Sequence, residues 1–206
     1  GYLQQFVAIG DIDGDGKPDL VATDGNLSVV SIFRNTSATD ALRFAPKVNF
    51  APGLGPQSVA IGDLDGDGKP DLAVANTGGA NVSVLKNTST PGIIAFASKV
   101  DFTTGMYPMN VAIGDIDGDG KPDLAITTGS NSVSVLRNIS ASGSLTFVPK
   151  IDITAGSGYS IAIGDIDGDG KPDLAIAHGS NYVSTLRNES TSGSITFAPK
   201  VDFVTG

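Results

Sequence analysis

One nine-residue string rich in aspartate occurs four times in this chain of 206 residues and constrains its fold more than any other feature. The string reads Asp-Ile-Asp-Gly-Asp-Gly-Lys-Pro-Asp, with Leu64 replacing the isoleucine in the second copy, and begins at positions 11, 63, 115 and 165. A Val-Ala-Ile-Gly or Ile-Ala-Ile-Gly segment precedes every copy, and an Arg-Asn or Lys-Asn pair follows it. Such self-similarity at a fixed period is the signature of a repeat architecture. We therefore divide the chain into four repeats, 1–52, 53–104, 105–155 and 156–206.

Each repeat has the pattern of four short β-strands. Apolar and polar residues alternate over short runs that Gly, Asn, Asp and Ser separate, and no segment has the period of an amphipathic helix. In the first repeat we predict strands at 6–10, 19–23, 27–33 and 44–50. Pro46 and Lys47 suit an edge, so the fourth strand is predicted to be outermost. Four antiparallel strands in about 50 residues are typical of a propeller blade, so we predict an all-β fold, a β-propeller with four blades per chain.

The presence of four blades does not determine how the ring is closed. A compact four-bladed ring, pairing with a second copy, and an array cut from a longer one are the alternatives, since an open array exposes its end blades. Near-identical repeats make blade interfaces interchangeable, so we expect self-association or an excised array, that is, half a propeller. The start at Gly1 has no signal-peptide order, which indicates a mature or excised segment.

Composition excludes several function classes. Thirteen basic against 22 acidic residues give a formal charge of −9, which argues against nucleic acid as a partner. No apolar run approaches the roughly 18 to 20 residues that span a bilayer. The absence of Cys removes disulfides and thiolate chemistry, and a single His leaves few nucleophile and base pairs. We therefore predict that the chain is not an enzyme.

The aspartate string has the chemistry of a calcium loop. Two carboxylates at ~4 Å repel by about 4 kcal/mol at an effective dielectric constant of 20, so a cation is expected among them. Alternating carboxylates and a backbone carbonyl form an oxygen-only shell, which Ca²⁺ prefers over Zn²⁺ or Cu²⁺. We predict about four Ca²⁺ per chain, with four Asp and one Lys carbonyl as ligands in each string: Asp11, Asp13, Asp15, Lys17, Asp19; Asp63, Asp65, Asp67, Lys69, Asp71; Asp115, Asp117, Asp119, Lys121, Asp123; Asp165, Asp167, Asp169, Lys171, Asp173.

An EF-hand does not fit this string. Its twelfth position, a bidentate Glu in that motif, is Ala22, Val74, Ile126 or Ile176, and strands rather than helices flank the loop. The Val-Ala-Ile-Gly-Asp-x-Asp-Gly-Asp-Gly-Lys-Pro-Asp-Leu core instead resembles the FG-GAP or VCBS repeat family, the blade unit of integrin α-subunit propellers and of many bacterial surface proteins. The resemblance covers all four repeats and implies Ca²⁺ between the first two strands of each blade. The family's Gly-Ala-Pro element is absent, so integrin-type ligand recognition is not implied.

Other candidate sites lie in the loops at the end of the blades opposite the aspartate strings. Binding residues favour variable loops on a rigid scaffold, so a protein or glycan ligand would meet Tyr107, Tyr159, Tyr182 and His178, with Asp24 nearby. The alternative interpretation is that these residues are unselected variation on the surface. Four Asn-x-Ser sequons begin at Asn35, Asn87, Asn138 and Asn188 and also suit plain turns. We expect the preceding basic residues, Arg34, Lys86, Arg137 and Arg187, to lie over the blades rather than bind anions.

The predicted function is a calcium-binding extracellular propeller module for adhesion, display or protein–protein interaction. Millimolar calcium outside cells fills loops of modest affinity, which gives the localisation. A carbohydrate-binding lectin is the first alternative. Part of a calcium-dependent polysaccharide lyase, catalytic or not, is the second.

Overall fold

The fold consists of short antiparallel strands in a computed structural model that describes residues 6–179 and 181–206. Each repeat contributes four strands in chain order. The strands are β1 Val7–Gly10, β2 Asp19–Asp24, β3 Val29–Phe33, β4 Val48–Phe50, β5 Pro56–Gly62, β6 Asp71–Asn76, β7 Asn81–Leu85, β8 Val100–Thr103, β9 Pro108–Gly114, β10 Asp123–Thr128, β11 Ser132–Leu136, β12 Ile151–Thr154, β13 Gly158–Gly164, β14 Asp173–His178, β15 Tyr182–Leu186 and β16 Val201–Val204.

Every repeat folds as one four-stranded antiparallel sheet with its strands in sequence order. We call these sheets blades 1 to 4. The pairing of Gly10 with Asp19, and of the matching residues in the other blades, places each aspartate string as the link between the first two strands. The fourth strand pairs only with the third, so it is outermost, as predicted. The sequence prediction of an all-β, blade-like propeller fold is confirmed.

The third and fourth strands of blade 1 are shorter than predicted by two or more residues. The third strand begins at Val29 because the Asp24 carboxylate accepts hydrogen bonds from the backbone N–H groups of Asn26 and Leu27 and holds them in a turn. The fourth strand is reduced to Val48–Phe50, with Phe44 in an isolated bridge to Asn35. Proline cannot donate to a ladder, but Ser98 replaces it in blade 2 and the gap persists there. The gap therefore belongs to the hairpin itself and not to its proline.

The hydrophobic core lies between consecutive blades. Three clusters of buried side chains are present in the described residues, joining blades 1 and 2, 2 and 3, and 3 and 4. Close approach of the blades depends on the glycine that ends the first strand. A Cβ added at Gly62 would lie 3.2 Å from two carbon atoms of Ile113 in the next blade. The small residues noted in the sequence thus serve close packing between sheets.

The array is not closed within the chain. Each blade packs on the next through strands such as β1 on β5, β5 on β9 and β9 on β13, whereas the described parts of blades 1 and 4 do not pack together. Of the three alternatives for closure, the compact four-bladed ring is therefore excluded, because the inner strands form their contacts with those of the neighbouring blades and leave both end blades open. Within the described ranges, no helix has the length and apolar character needed to cross a membrane.

Candidate metal centre

Four acidic loops, residues 11–19, 63–71, 115–123 and 165–173, occupy the same end of the four blades. Each follows the first strand of its blade and leads directly into the second. Gly14 and Gly16 have φ angles of 74° and 85°, a left-handed conformation that glycine adopts without steric cost. These two angles let the loop coil so that alternate side chains face a common centre.

Backbone hydrogen bonds hold the carboxylates of each loop in place. Asp11 accepts the N–H of Asp15 at 3.1 Å on one oxygen and that of Gly16 at 2.8 Å on the other. Asp15 in turn accepts the N–H of Lys17 at 2.9 Å. The other loops repeat these contacts in large part, so the same geometry is built four times.

Each loop brings three predicted ligands together. One oxygen atom from each of three carboxylates lies within 4.8 Å of the others in the groups Asp11–Asp13–Asp15, Asp63–Asp65–Asp71, Asp115–Asp117–Asp123 and Asp165–Asp167–Asp173. Asp19, Asp67, Asp119 and Asp169 lie outside these groups, and the role of the four Lys carbonyls stays a prediction. The side chains of Lys69 and Lys171 point away from a ligand role, since their Nζ atoms donate to the carbonyls of Ser89 and Ser190, each at 2.9 Å.

The last aspartate of the loop is the most buried one. Both carboxylate oxygens of Asp71 accept backbone N–H groups, from Leu64 at 3.0 Å and Asn87 at 2.8 Å. Desolvation outweighs these bonds and raises the pKa of Asp71 to about 6, and the same cause raises the pKa of Asp123 to about 6. Desolvation also raises the pKa of Asp19. The loop therefore holds negative charge that the surroundings of these carboxylates do not fully compensate.

A basic residue at the end of the third strand contacts the acidic loop in three blades. Lys86 forms ion pairs with Asp65 and, at 3.1 Å, with Asp67. Burial acts to raise the pKa of Asp67, but the hydrogen bonds from Lys86 and from the Lys69 backbone, together with the charges of both lysines, outweigh it and lower that pKa. Arg34 and Arg137 make longer contacts of 3.8 to 4.0 Å with their own loops. The sequence analysis missed these contacts, although the nearly constant spacing between string and basic residue was a usable signal.

In blade 4 the basic residue turns away from its loop. Arg187 pairs with Glu189, and both side chains are about half exposed, at 53% and 46%. The fourth loop is also the most exposed, since Asp165 and Asp167 are open to solvent whereas Asp13, Asp65 and Asp117 are buried.

The asparagine of each sequon is structural. Asn87 is 1% exposed, and its Nδ2 donates at 2.8 Å to the carbonyls of Pro70 in its own blade and Ile12 in the preceding one. Its Oδ1 accepts the N–H of Ser89 at 2.8 Å. Asn138 and Asn188 repeat these bonds, and all four sequon asparagines are buried. In the folded chain their Nδ2 atoms are therefore not accessible for glycosylation.

The candidate ligand residues lie at the opposite end of the blades. Tyr107 and Tyr159 are 54% and 51% exposed. The His178 ring stacks on Tyr182 with centroids 4.2 Å apart, and its Nε2 lies 2.9 Å from the Ser184 hydroxyl. The structure thus brings His178 and Tyr182 together, while Asp24 caps its own turn.

Comparison with known proteins identifies the family. The model of the FG-GAP-like repeat matches three overlapping stretches, residues 11–74, 63–126 and 115–176. The chain belongs to the FG-GAP-like repeat family. Each match runs from one acidic loop into the second strand of the next blade, so the family pattern includes the residues at the interfaces between blades. A search of curated proteins found no match.

Solved structures share the fold at low identity. A lectin from Agrocybe aegerita, whose structure concerns recognition of non-reducing terminal N-acetylglucosamine, aligns with a TM-score of 0.63 and 20% identity over 98% of this chain and 52% of its own. BBS1N in complex with ARL6DN aligns with a TM-score of 0.60 and 18% identity over 95% of this chain and 54% of its own. The chain thus spans about half the length of these structures.

Proposed function

We propose that the chain is a calcium-binding propeller module that works outside the cell and presents a loop face to a partner. The observation that carries the proposal is the acidic loop, built four times with three converging carboxylates. The donor set fits calcium, because the three carboxylates supply hard oxygen ligands and the loop contains no His or Cys.

The role of the metal would be structural. Bound Ca²⁺ would supply positive charge to carboxylates that repel one another. In loop 2 the ion would be held by Asp63, Asp65 and Asp71, with the Lys69 carbonyl as a further predicted ligand. The Asp71 backbone bonds orient its carboxylate, and the bond from Asn87 ties the loop to the hairpin that follows the third strand of its blade. Filling the loop therefore stabilises the blade as well as the loop itself.

Calorimetric titration tests this proposal. We expect about four Ca²⁺ per chain, and the double substitution Asp63→Asn with Asp65→Asn should remove one binding event. Asp152→Asn is the matched control, because Asp152 lies outside the acidic loops and bonds to Lys150 and Ser134. No heat of binding with Ca²⁺, or an unchanged stoichiometry in the double variant, would contradict the proposal.

We further propose that the partner is a protein and that the chain serves adhesion or display without catalysis. Variable loops at the end opposite the metal, with exposed Tyr107 and Tyr159, support a binding role. The BBS1N structure, solved in complex with ARL6DN, is a protein complex of similar fold. We expect surface labelling of cells to detect the chain. We also expect the double variant Tyr107→Ala with Tyr159→Ala to lose binding to the protein partner. Ile139→Ala, at an exposed residue in a hairpin at the metal end, is the control.

A glycan ligand is the second candidate, and the stacked pair His178 and Tyr182 favours it. Lys200 Nζ lies 5.7 Å from the centroid of the Tyr182 ring, so an aromatic pair and a hydrogen-bond donor lie side by side. The similar Agrocybe aegerita lectin recognises a terminal sugar. Glycan-array binding that Tyr182→Ala abolishes would favour this candidate over a protein partner. Turnover of a uronic polysaccharide would instead favour the lyase alternative.

A further inference from the structure

The two ends of the array carry the two halves of the interface that joins consecutive blades. We call the surface that packs on the preceding blade the leading face, and the surface that receives the following blade the trailing face. The first-strand residues Val59, Val111 and Ile161 are 5% to 8% exposed in the leading faces of blades 2 to 4. Val7, at the same position of blade 1, is 64% exposed.

The trailing face of blade 4 is open in the same way. The second residue of the acidic loop is 1% to 2% exposed in the first three blades, as Ile12, Leu64 and Ile116. Ile166, at the same position of blade 4, is 57% exposed. We propose that the trailing face of one chain binds the leading face of a second copy of this chain, head to tail.

Complementary shape supports a blade as the occupant. A Cβ added at Gly10, Gly62 or Gly114 would lie 3.0 to 3.2 Å from an isoleucine of the following blade, so these glycines make room for that side chain. At Gly164 in blade 4 the same Cβ would meet nothing within 4 Å. Ile9 of blade 1 is the counterpart of those isoleucines, and it is 66% exposed. Ile9 of the second copy fits against Gly164.

A groove on blade 4 matches the hairpin of blade 1. The groove is about 260 Å³ in volume, and Ile166, Thr185, Arg187, Pro199 and Val201 contribute to its wall. The same groove on blade 3 is lined by Val135, Arg137, Pro149 and Ile151 together with residues 193–195, which belong to the hairpin of blade 4. The hairpin residues of blade 1 at these positions are 40–42, and Leu42 is 80% exposed.

The same buried hydrogen bond is present at each internal interface, and it is missing only at the ends of the described array. Nδ2 of Asn87, Asn138 and Asn188 donates at 2.8 Å to the carbonyl of the buried loop residue in the preceding blade. Within the described residues Asn35 Nδ2 donates only to Pro18 of its own blade. In the head-to-tail contact Asn35 donates to the carbonyl of Ile166 of the other copy.

Charge also distinguishes this contact from the internal ones. The hairpin tip is Gly92, Gly143 or Gly193 in blades 2 to 4, but Asp40 in blade 1. A Cβ on Gly143 would lie 3.5 Å from Nζ of Lys86 in the preceding blade. The residue of blade 4 that corresponds to Lys86 is Arg187, which is half exposed. The Asp40 carboxylate of the second copy therefore meets the Arg187 guanidinium.

Two copies joined in this way supply eight blades. A head-to-tail contact is heterologous, so it forms a ring if the rotation closes and a filament if it does not. We expect a closed pair in which each copy uses both of its faces. Its mass is twice 20.8 kDa.

The first test is the solution mass by light scattering and sedimentation, in calcium and over a range of concentrations. The unsubstituted chain should approach the dimer mass, and Gly164→Leu or Leu42→Asp should hold it at 20.8 kDa. Both positions are open to solvent in the single chain, so circular dichroism should show the fold unchanged. Leu54→Asp, at an exposed leucine outside both faces, is the control and should leave the dimer intact.

The second test mixes two defective variants. The Gly164→Leu variant keeps an intact leading face, and the Leu42→Asp variant keeps an intact trailing face. Neither variant should dimerise alone, whereas their mixture should form a 1:1 complex. Asp40→Arg and Arg187→Asp should each weaken the dimer, and their combination in one chain should restore it. A monomer at every concentration, or a dimer that Gly164→Leu and Leu42→Asp leave intact, would overturn the proposal, as would a mixture that stays monomeric.

Discussion

At the scale of single residues, the buried aspartate that ends each acidic loop has the largest consequence. Asp71 and Asp123 are held by two backbone N–H groups each, yet desolvation raises the pKa of both to about 6. Their folded-state pKa values therefore lie above the unfolded value of 3.8. Protonation favours the folded, calcium-free chain, whereas calcium favours the ionised form.

The first prediction concerns pH. Because the calcium-free folded chain binds protons more tightly than the unfolded one, its stability should rise as pH falls from about 7 to about 4 through these two groups. The stabilisation by calcium should shrink over the same interval, since protons compete with the metal for Asp71 and Asp123. Urea unfolding with chelator and with calcium, at several pH values, measures both trends. A calcium effect of constant size down to pH 5 would contradict this account.

The aspartates of the loops could be predicted from the sequence because their spacing alone determines a local coil. The roles of Asn87 and Lys86 were missed, since one depends on a carbonyl in the preceding blade and the other, despite its regular spacing from the string, on the path of the third strand. From the local sequence, Asn87 was interpreted as part of a sequon and Lys86 as a surface cation. The register between blades shows that Asn87 reaches the loop of the preceding blade, and the path of the third strand shows that Lys86 reaches the loop of its own blade.

At the scale of elements, the strand-ending glycine controls how closely two blades approach. A Cβ added at Gly114 would lie 3.0 Å from Cγ2 of Ile163, whereas a Cβ added at Gly164 would meet nothing within 4 Å. We predict that Gly114→Leu destabilises the fold by about 1 to 3 kcal/mol through overpacking, and that Gly164→Leu leaves it unchanged.

Urea unfolding measures this difference, at a protein concentration low enough for both variants to be monomeric. Because the two substitutions are chemically identical and both lie at the end of a first strand, strand propensity cancels between them. Equal stability of the two variants would show that the glycine is not needed for blade packing.

The hairpin between the third and fourth strands is the second element with a clear prediction. Asn138 is fully buried and donates to carbonyls in blades 2 and 3, so Asn138→Ala leaves these two acceptors without a partner. We expect a loss of about 1 to 3 kcal/mol in the free energy of unfolding. Ser142→Ala, at the exposed tip of the same hairpin, is the control and should change stability little.

At the scale of the whole molecule, repeat count and strand order followed from the sequence, whereas the angle between consecutive blades did not. Alternation and turn residues are local signals, so the outer strand of blade 1 was predicted in the right place at Val48–Phe50 but extended too far, to Phe44, which lies only in an isolated bridge. The angle between blades depends on packing such as Ile61 against Gly10, which no pattern within one repeat encodes. The sequence predicted that the array does not close within the chain, whereas the residues that the open ends expose, such as Val7 and Ile166, became apparent only in three dimensions.

Thermal unfolding with calcium and after chelation tests the central claim, that metal in the acidic loops holds the blades together. Binding to the folded state at a hundredfold excess over Kd contributes about 2.7 kcal/mol per site. We therefore predict that chelation lowers Tm by roughly 5 °C or more, that restored calcium reverses the loss and that magnesium does not. An unchanged Tm after chelation would contradict the claim.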